Sequence, residues 1–177
     1  MQSPFYQKTN HIKQAKWNST QALRFDIHCD DTSVYYNNYI IIKHTDAYAY
    51  SNIWLKINIK SPGDSISQST SIEIPLATLP GQWLGNKFGE YIEQRRMTVL
   101  DHTAIPKTDE LICISTKSID YLFNKKGNYE ITIEHLMRDL ELAEILDIGL
   151  RIEKSSIKKT PASNKAISES LSEATPS

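Results

Sequence analysis

The chain has 177 residues, 40% of them hydrophobic and 23% charged, with a formal net charge of −1. That length suits one domain with a real core, and the near-neutral balance excludes a chain-wide field for nucleic acid or anionic lipid, so partners have to be recognised locally. No run approaches the roughly 20 apolar residues that cross a bilayer, and residues 1–16 lack the apolar centre of a signal peptide.

Along the chain the dominant hydrophobic period is two, the signature of half-buried strands. Leu23, Phe25, Ile27 and Cys29 alternate with Arg24, Asp26 and His28, which predicts a strand over 23–29. The run 39–44 is more uniformly apolar and reads as a central strand. Ile53, Leu55, Ile57 and Ile59 alternate with Trp54, Lys56, Asn58 and Lys60; the Ser-Pro-Gly-Asp turn chemistry at 61–64 then folds 53–74 into a hairpin. Further strands are predicted over 95–100, 111–117, 129–135 and 145–153, with the turn 125–128 ahead of the third. Helical spacing is confined to 118–123 and 134–144, each too short for a helical layer. About eight modest strands without a βαβ rhythm give an all-β class: an antiparallel sandwich, of which a jelly roll is one form, with at most short helical turns.

The domain is expected over 17–153. Residues 1–16 read as a linker. The stretch 154–177 is rich in serine and lysine and has no aromatic residue, a composition that cannot bury enough apolar surface to order itself.

Signatures of catalysis are missing: the histidines share no ligand spacing, and there is neither a nucleophile elbow nor a phosphate-cradling glycine loop. Neither a metal nor a cofactor is expected, and the chain reads as a non-enzyme. The carboxylate pairs Asp30-Asp31 and Asp109-Glu110 sit where turns are expected and read as solvated turn residues. By phase, His28 falls on a polar face and His135 on an apolar one. Cys29 and Cys113 read as buried thiols, a bridge between them being the alternative.

The aromatics of the loops carry most of the recognition potential. Tyr48, Tyr50 and Trp83 are the candidate partner-binding residues, with Trp54 projecting from the polar face of its strand. Gly81 and Gly85 flank Trp83 and are expected to allow a tight loop that lays the indole over the sandwich. Arg138 and Asp139, just before the last strand, are expected to fix the final crossover.

Three segments, HTDAYAYSNIWL (44–55), PLATLPGQWLG (75–85) and HLMRDLELAEILDIGLRIEK (135–154), resemble in the same order the GldH gliding-motility lipoproteins of Bacteroidota. The resemblance covers roughly residues 15–154. It implies an envelope lipoprotein without known enzymatic activity, facing the periplasm and required with other gliding lipoproteins for surface movement and for the associated type IX secretion system. It also implies an N-terminal signal peptide and a lipidated cysteine shortly before Trp17. No cysteine precedes Cys29, so residues 1–16 are expected to be the linker to an anchor that was removed. The implied partners are other gliding or secretion proteins of the envelope and, through the lipid, the membrane. The second reading is a carbohydrate-binding module whose loop aromatics form a platform for glycan; a hydrolase on the same scaffold comes third.

Overall fold

The computed structural model describes residues 3–99, 112–113 and 122–158. Twelve strands follow in chain order: β1 (Tyr6–His11), β2 (Lys16–Asn18), β3 (Leu23–Cys29), β4 (Val34–Thr45), β5 (Asn52–Lys60), β6 (Gln68–Pro75), β7 (Asn86–Phe88), β8 (Tyr91–Val99), β9 (Ile112–Cys113), β10 (Gly127–His135), β11 (Glu141–Ala143) and β12 (Ile145–Lys158). A single 3₁₀ turn at Lys13–Ala15 is the only helical element among the described residues. No described helix is long and apolar enough to cross a bilayer.

The strands form two facing sheets and a short ribbon. The first sheet runs β1-β12-β4-β8-β7, with β9 also on β8; the second runs β3-β10-β5-β6; β2 and β11 make the ribbon. Every pairing is antiparallel except β8 with β9. The alternation in the sequence sets the register. Phe25, Ile27, Leu55, Ile57, Ile131 and Ile133 line the inner face of the second sheet, against Ile40, Ile42, Ile148, Leu150 and Ile152 of the first, all buried. A one-residue slip would turn each of these rows to solvent, so the pattern fixes the pairing. Each full burial of such a side chain is worth about 1.5–3 kcal/mol.

The structure departs from the sequence reading in several places. Residues 6–11, expected within a linker, form β1 against β12 from Tyr6↔Ile152 to His11↔Asp147. No residue of β1 is buried, so it has no apolar row to read. Just ahead of it, Phe5 wedges against Tyr36 and Phe123, with ring centroids 5.1 and 6.2 Å away. At the other end of the chain, β12 runs past Glu153 to Lys158, because Lys154 and Lys158 stay paired with Tyr36 and Val34 across a bulge. Residues 159–177, expected to be a disordered tail, lie outside the described residues. The 134–144 segment is not helical: β10 continues to His135, Leu136 donates its N–H to the Trp54 carbonyl, and 141–143 form β11 against β2. Of the predicted 118–123 helix, Leu122 and Phe123 form a turn and the rest lies outside the described residues. The strand predicted over 95–100 begins earlier, at Tyr91; of the one predicted over 111–117, Ile112–Cys113 are described.

Ile133 lies fully buried on β10, paired with Leu23 on one side and Ile57 on the other. Ile133→Ala should therefore cost about 2–5 kcal/mol in urea unfolding. A loss below about 1 kcal/mol would mean that the core is not centred on this strand.

Candidate interaction surface at one end of the sandwich

Antiparallel pairing sorts the connections onto two ends. One end, here called the near end, holds Phe5, the 30–33 turn, the 61–67 and 122–126 loops and the last residues of β12. The far end holds the connections 12–22, 46–51, 76–90 and 136–144. Seven large apolar side chains are exposed among the described residues: Trp54, Ile66, Leu79, Leu84, Phe88, Leu136 and Leu140. Leu79, Leu84, Phe88, Leu136 and Leu140 lie in the far-end connections and Trp54 is the third residue of β5 from that end, whereas scattered apolar exposure would need no explanation.

Beneath this apolar rim lies a buried polar network. Gln94 of β8 is fully buried and spends both amide hydrogens, one on His44 Nε2 and one on the Leu76 carbonyl, each at 2.9 Å. Its oxygen accepts from Arg96 at 3.0 Å, which fixes the orientation of the amide. His44 Nδ1 lies 2.9 Å from the Thr45 carbonyl, so Nδ1 carries the proton and Nε2 is the acceptor. Burial lowers the His44 pKa from its ordinary value, opposed by the Thr45 carbonyl and Asp46.

Trp83 packs on this histidine, with ring centroids 4.5 Å apart at 63°. Its loop is a tight return: Ala77 bridges Trp83, Thr78 and Gly81 close the turn by a 2.8 Å bond, and Gly81 takes φ +88°. Gly85 answers a different need. A Cβ there would lie 2.5 Å from the Glu93 carbonyl oxygen, so the loop reaches β8 only because that position has no side chain.

The predicted contact residues divide. Tyr48 is corrected: only 4% of it is exposed, its hydroxyl donates to the Asn52 carbonyl at 3.0 Å, and its ring sits between those of His44 and Tyr50. It braces the far end from inside and has no face to offer a partner. Tyr50 and Trp83 are half-buried, Trp54 is exposed. Tyr50 donates its hydroxyl to Asp139 at 2.6 Å, and that hydrogen bond raises the phenol pKa. Arg138 and Asp139 are both exposed, and no ion pair joins them; Asp139 instead accepts the Tyr50 hydroxyl. The rings of His44, Tyr48, Tyr50 and Trp83 are tilted by 45–67° to one another and share no plane, while Phe88 and Tyr91 stack at 29° beside them.

Other predicted positions are placed as follows. His28 is exposed and bonded to Asn128 and Asp30. His135 is buried, donating Nε2–H to the Trp17 carbonyl at 2.8 Å and accepting from the Met137 N–H at 3.3 Å; burial lowers its pKa. Asp31 takes the Ser33 hydroxyl and N–H and pairs with Lys154, which holds its carboxyl down at about 2. Cys29 is a buried, free thiol. Asp109 and Glu110 lie outside the described residues. Among those described, no three His, Cys, Asp or Glu side chains gather as metal ligands.

Three supporting residues escaped the sequence reading. Gln94 was hidden in the polar run Glu93-Gln94-Arg95-Arg96, although it is in phase with buried Ile92. Glu144 adopts φ +70°, gives its N–H to the Ala15 carbonyl and takes the Thr45 hydroxyl, tying the last connection to β4. Met137 accepts the Trp54 N–H on sulfur at 3.2 Å; no periodicity signals either of the last two.

Both buried histidines are neutral in the fold and titrate near pH 6.5 once unfolded, so below about 6.5 the unfolded chain binds protons that the folded chain refuses. Stability should be flat above that pH and fall as the pH drops toward the folded values. His44→Gln and His135→Gln should each flatten the slope in urea titrations between about pH 7.5 and 5.5. Asp31, with its lowered pKa, acts in a separate window, supporting the fold above about pH 4 and ceasing to do so on the way down to about 2. In thermal unfolding, Gly81→Ala should cost about 1–2 kcal/mol through its left-handed backbone. Gly85→Ala should cost more, because its methyl group meets backbone that cannot move aside.

The comparisons with known proteins identify the family. A family model described as GldH lipoprotein matches residues 4–119 and 113–152. A protein of Christiangramia forsetii, "Gliding motility lipoprotein GldH homolog", is 26% identical over 147 residues, 79% of this chain and 78% of that protein. Among solved structures, the infectious bursal disease virus VP2 subviral particle is 10% identical over 97% of this chain and 47% of its own, with a TM-score of 0.20, too low to bear on the fold. With the matched segments running from Pro4 through β12 as far as Ile152, the chain belongs to the GldH lipoprotein family.

Proposed function

We propose that this protein is a non-enzymatic envelope lipoprotein, held in a membrane by lipid attached N-terminal to Phe5 and facing the periplasm. It serves the gliding-motility machinery and the associated type IX secretion system through protein contacts made at its far end. The observation that carries this reading is the gathering of exposed apolar side chains at the end opposite Phe5. A lipid at the near end leaves that rim pointing away from the bilayer, where the buried surface gained on docking can drive association. Tyr50 and Trp83 lie within the rim as half-exposed contact residues, and Tyr48 supports them from behind.

The polar interior supports a non-catalytic role. The buried groups His44, Gln94 and His135 are matched by partners inside the fold, with no donor or acceptor left over for a substrate. The mutual tilt of Tyr48, Tyr50 and Trp83 counts against a sugar platform built from these loop aromatics.

Leu79→Asp combined with Leu140→Asp, introduced into the lipoprotein of a gliding bacterium, should abolish colony spreading and secretion. The protein should stay in the membrane fraction, with its stability unchanged within about 0.5 kcal/mol. Normal spreading with both substitutions in place would overturn the far-end contact.

A further inference from the structure

We infer that the outer edge of β6 is a strand-acceptor site, taking an extended segment of another envelope protein that runs antiparallel to β6 and sets an arginine across from Glu73. Sheet edges carry unpaired N–H and C=O groups, and proteins normally guard them with lysines, bulges, prolines, short length or a covering element. The other outer strands here are guarded in these ways. β1 and β3 close on each other, with Lys8 Nζ at 3.0 Å and Asn10 Nδ2 at 3.4 Å from the Arg24 carbonyl, and β3 carries Arg24 and Asp26. β7 is three residues long.

Among the described residues β6 is less guarded. It has eight residues, Gln-Ser-Thr-Ser-Ile-Glu-Ile-Pro, with no lysine or arginine and proline only as the last. It pairs with β5 without a bulge from Ile59↔Gln68 to Asn52↔Pro75, and among the described residues it has no strand on its other side. An incoming strand would gain a row of main-chain hydrogen bonds, the usual source of affinity in strand addition.

The side chains define the occupant. Ile72 and Ile74 face the core, so alternate residues of the added strand would extend an apolar row. The solvent row presents Ser69, Ser71 and Glu73, with Glu73 its one charge. Asn52 donates to one oxygen of Glu73 at 2.6 Å, and among the described residues the other takes no bond. Trp54 is directly across from Glu73 on the same face, with 41% of its surface exposed. A guanidinium placed opposite Glu73 would meet a carboxylate beside an aromatic ring, a setting that suits arginine better than lysine.

A second copy of this chain is the wrong occupant, an argument that rests on the lipid-anchored reading above. Antiparallel pairing of two β6 edges would point the two Phe5 ends in opposite directions, and two lipids so placed cannot enter one bilayer.

The test places the photo-reactive residue p-benzoylphenylalanine at Ser69, Ser71 or Glu73, one at a time, in the full lipoprotein in living cells. All three positions are exposed, and melting curves identify any variant that fails to fold. After irradiation the adduct sites are mapped by mass spectrometry. All three probes should label one segment of one envelope protein, and the labelled residue should step toward the partner's N-terminus as the probe moves from position 69 to 73. Glu73→Lys should lower the yield from the Ser71 probe by at least about twofold. Adducts to a second copy, adducts that do not step with the probe, or no adducts would each overturn strand addition. Those results leave the lipoprotein reading in place as long as the Leu79 and Leu140 substitutions still stop spreading in a membrane-bound protein.

Discussion

Gln94 holds the far end of this sandwich together. Its amide is one of few polar groups inside an aliphatic core, and a buried amide without partners would cost about 1–3 kcal/mol. Here every hydrogen-bonding atom is used, and each partner comes from a different place: His44 on β4, Arg96 along β8, and the carbonyl of Leu76 where the chain leaves the second sheet. One side chain thereby ties two strands of the first sheet to the connection that leaves the second. The connection carries Trp83, whose ring closes over His44, and Tyr48 and Tyr50 stack outward from the same histidine. The exposed rim is positioned because this interior is fixed.

The same network constrains charge. His44 Nε2 faces an N–H donor, so a second proton on the ring would set two donors against each other within hydrogen-bonding distance. His135 obeys the converse arrangement on the other sheet, with Nε2 donating to the Trp17 carbonyl and Nδ1 accepting. The two rings are locked as opposite neutral tautomers, each by a backbone carbonyl. Both anchor connections of the far end, which links its rigidity to a neutral surrounding pH.

Much of the fold was legible because burial in a sandwich has period two. The phase of Leu23, Phe25 and Ile27, or of Ile53, Leu55 and Ile57, decides which side chains face inward, and it also placed His28 outside, His135 inside and Trp54 on the solvent face. Features set by contact across the fold were not legible. β1 is polar because none of its residues is buried, and its place is set by main-chain pairing with β12. Tyr48 and Tyr50 would share a face in an extended loop, but the turn closed by the Tyr48 N–H on the Thr45 carbonyl sends one inward and leaves the other half-exposed. Gly81 and Gly85 were readable as a pair around Trp83; that one serves a backbone angle and the other a close approach emerges only from the packing. Gln94 shows how a buried polar residue hides in a charged run whose neighbours alternate outward.

The most direct measurement of this central constraint is the protonation state of His44, read from the ring ¹⁵N shifts of the folded protein as pH is lowered. The expected result is a neutral ring with the proton on Nδ1, persisting below about pH 6.5, where a free histidine would be half charged. A ring carrying its proton on Nε2, or one already charged at about pH 6.5 in the folded protein, would contradict it.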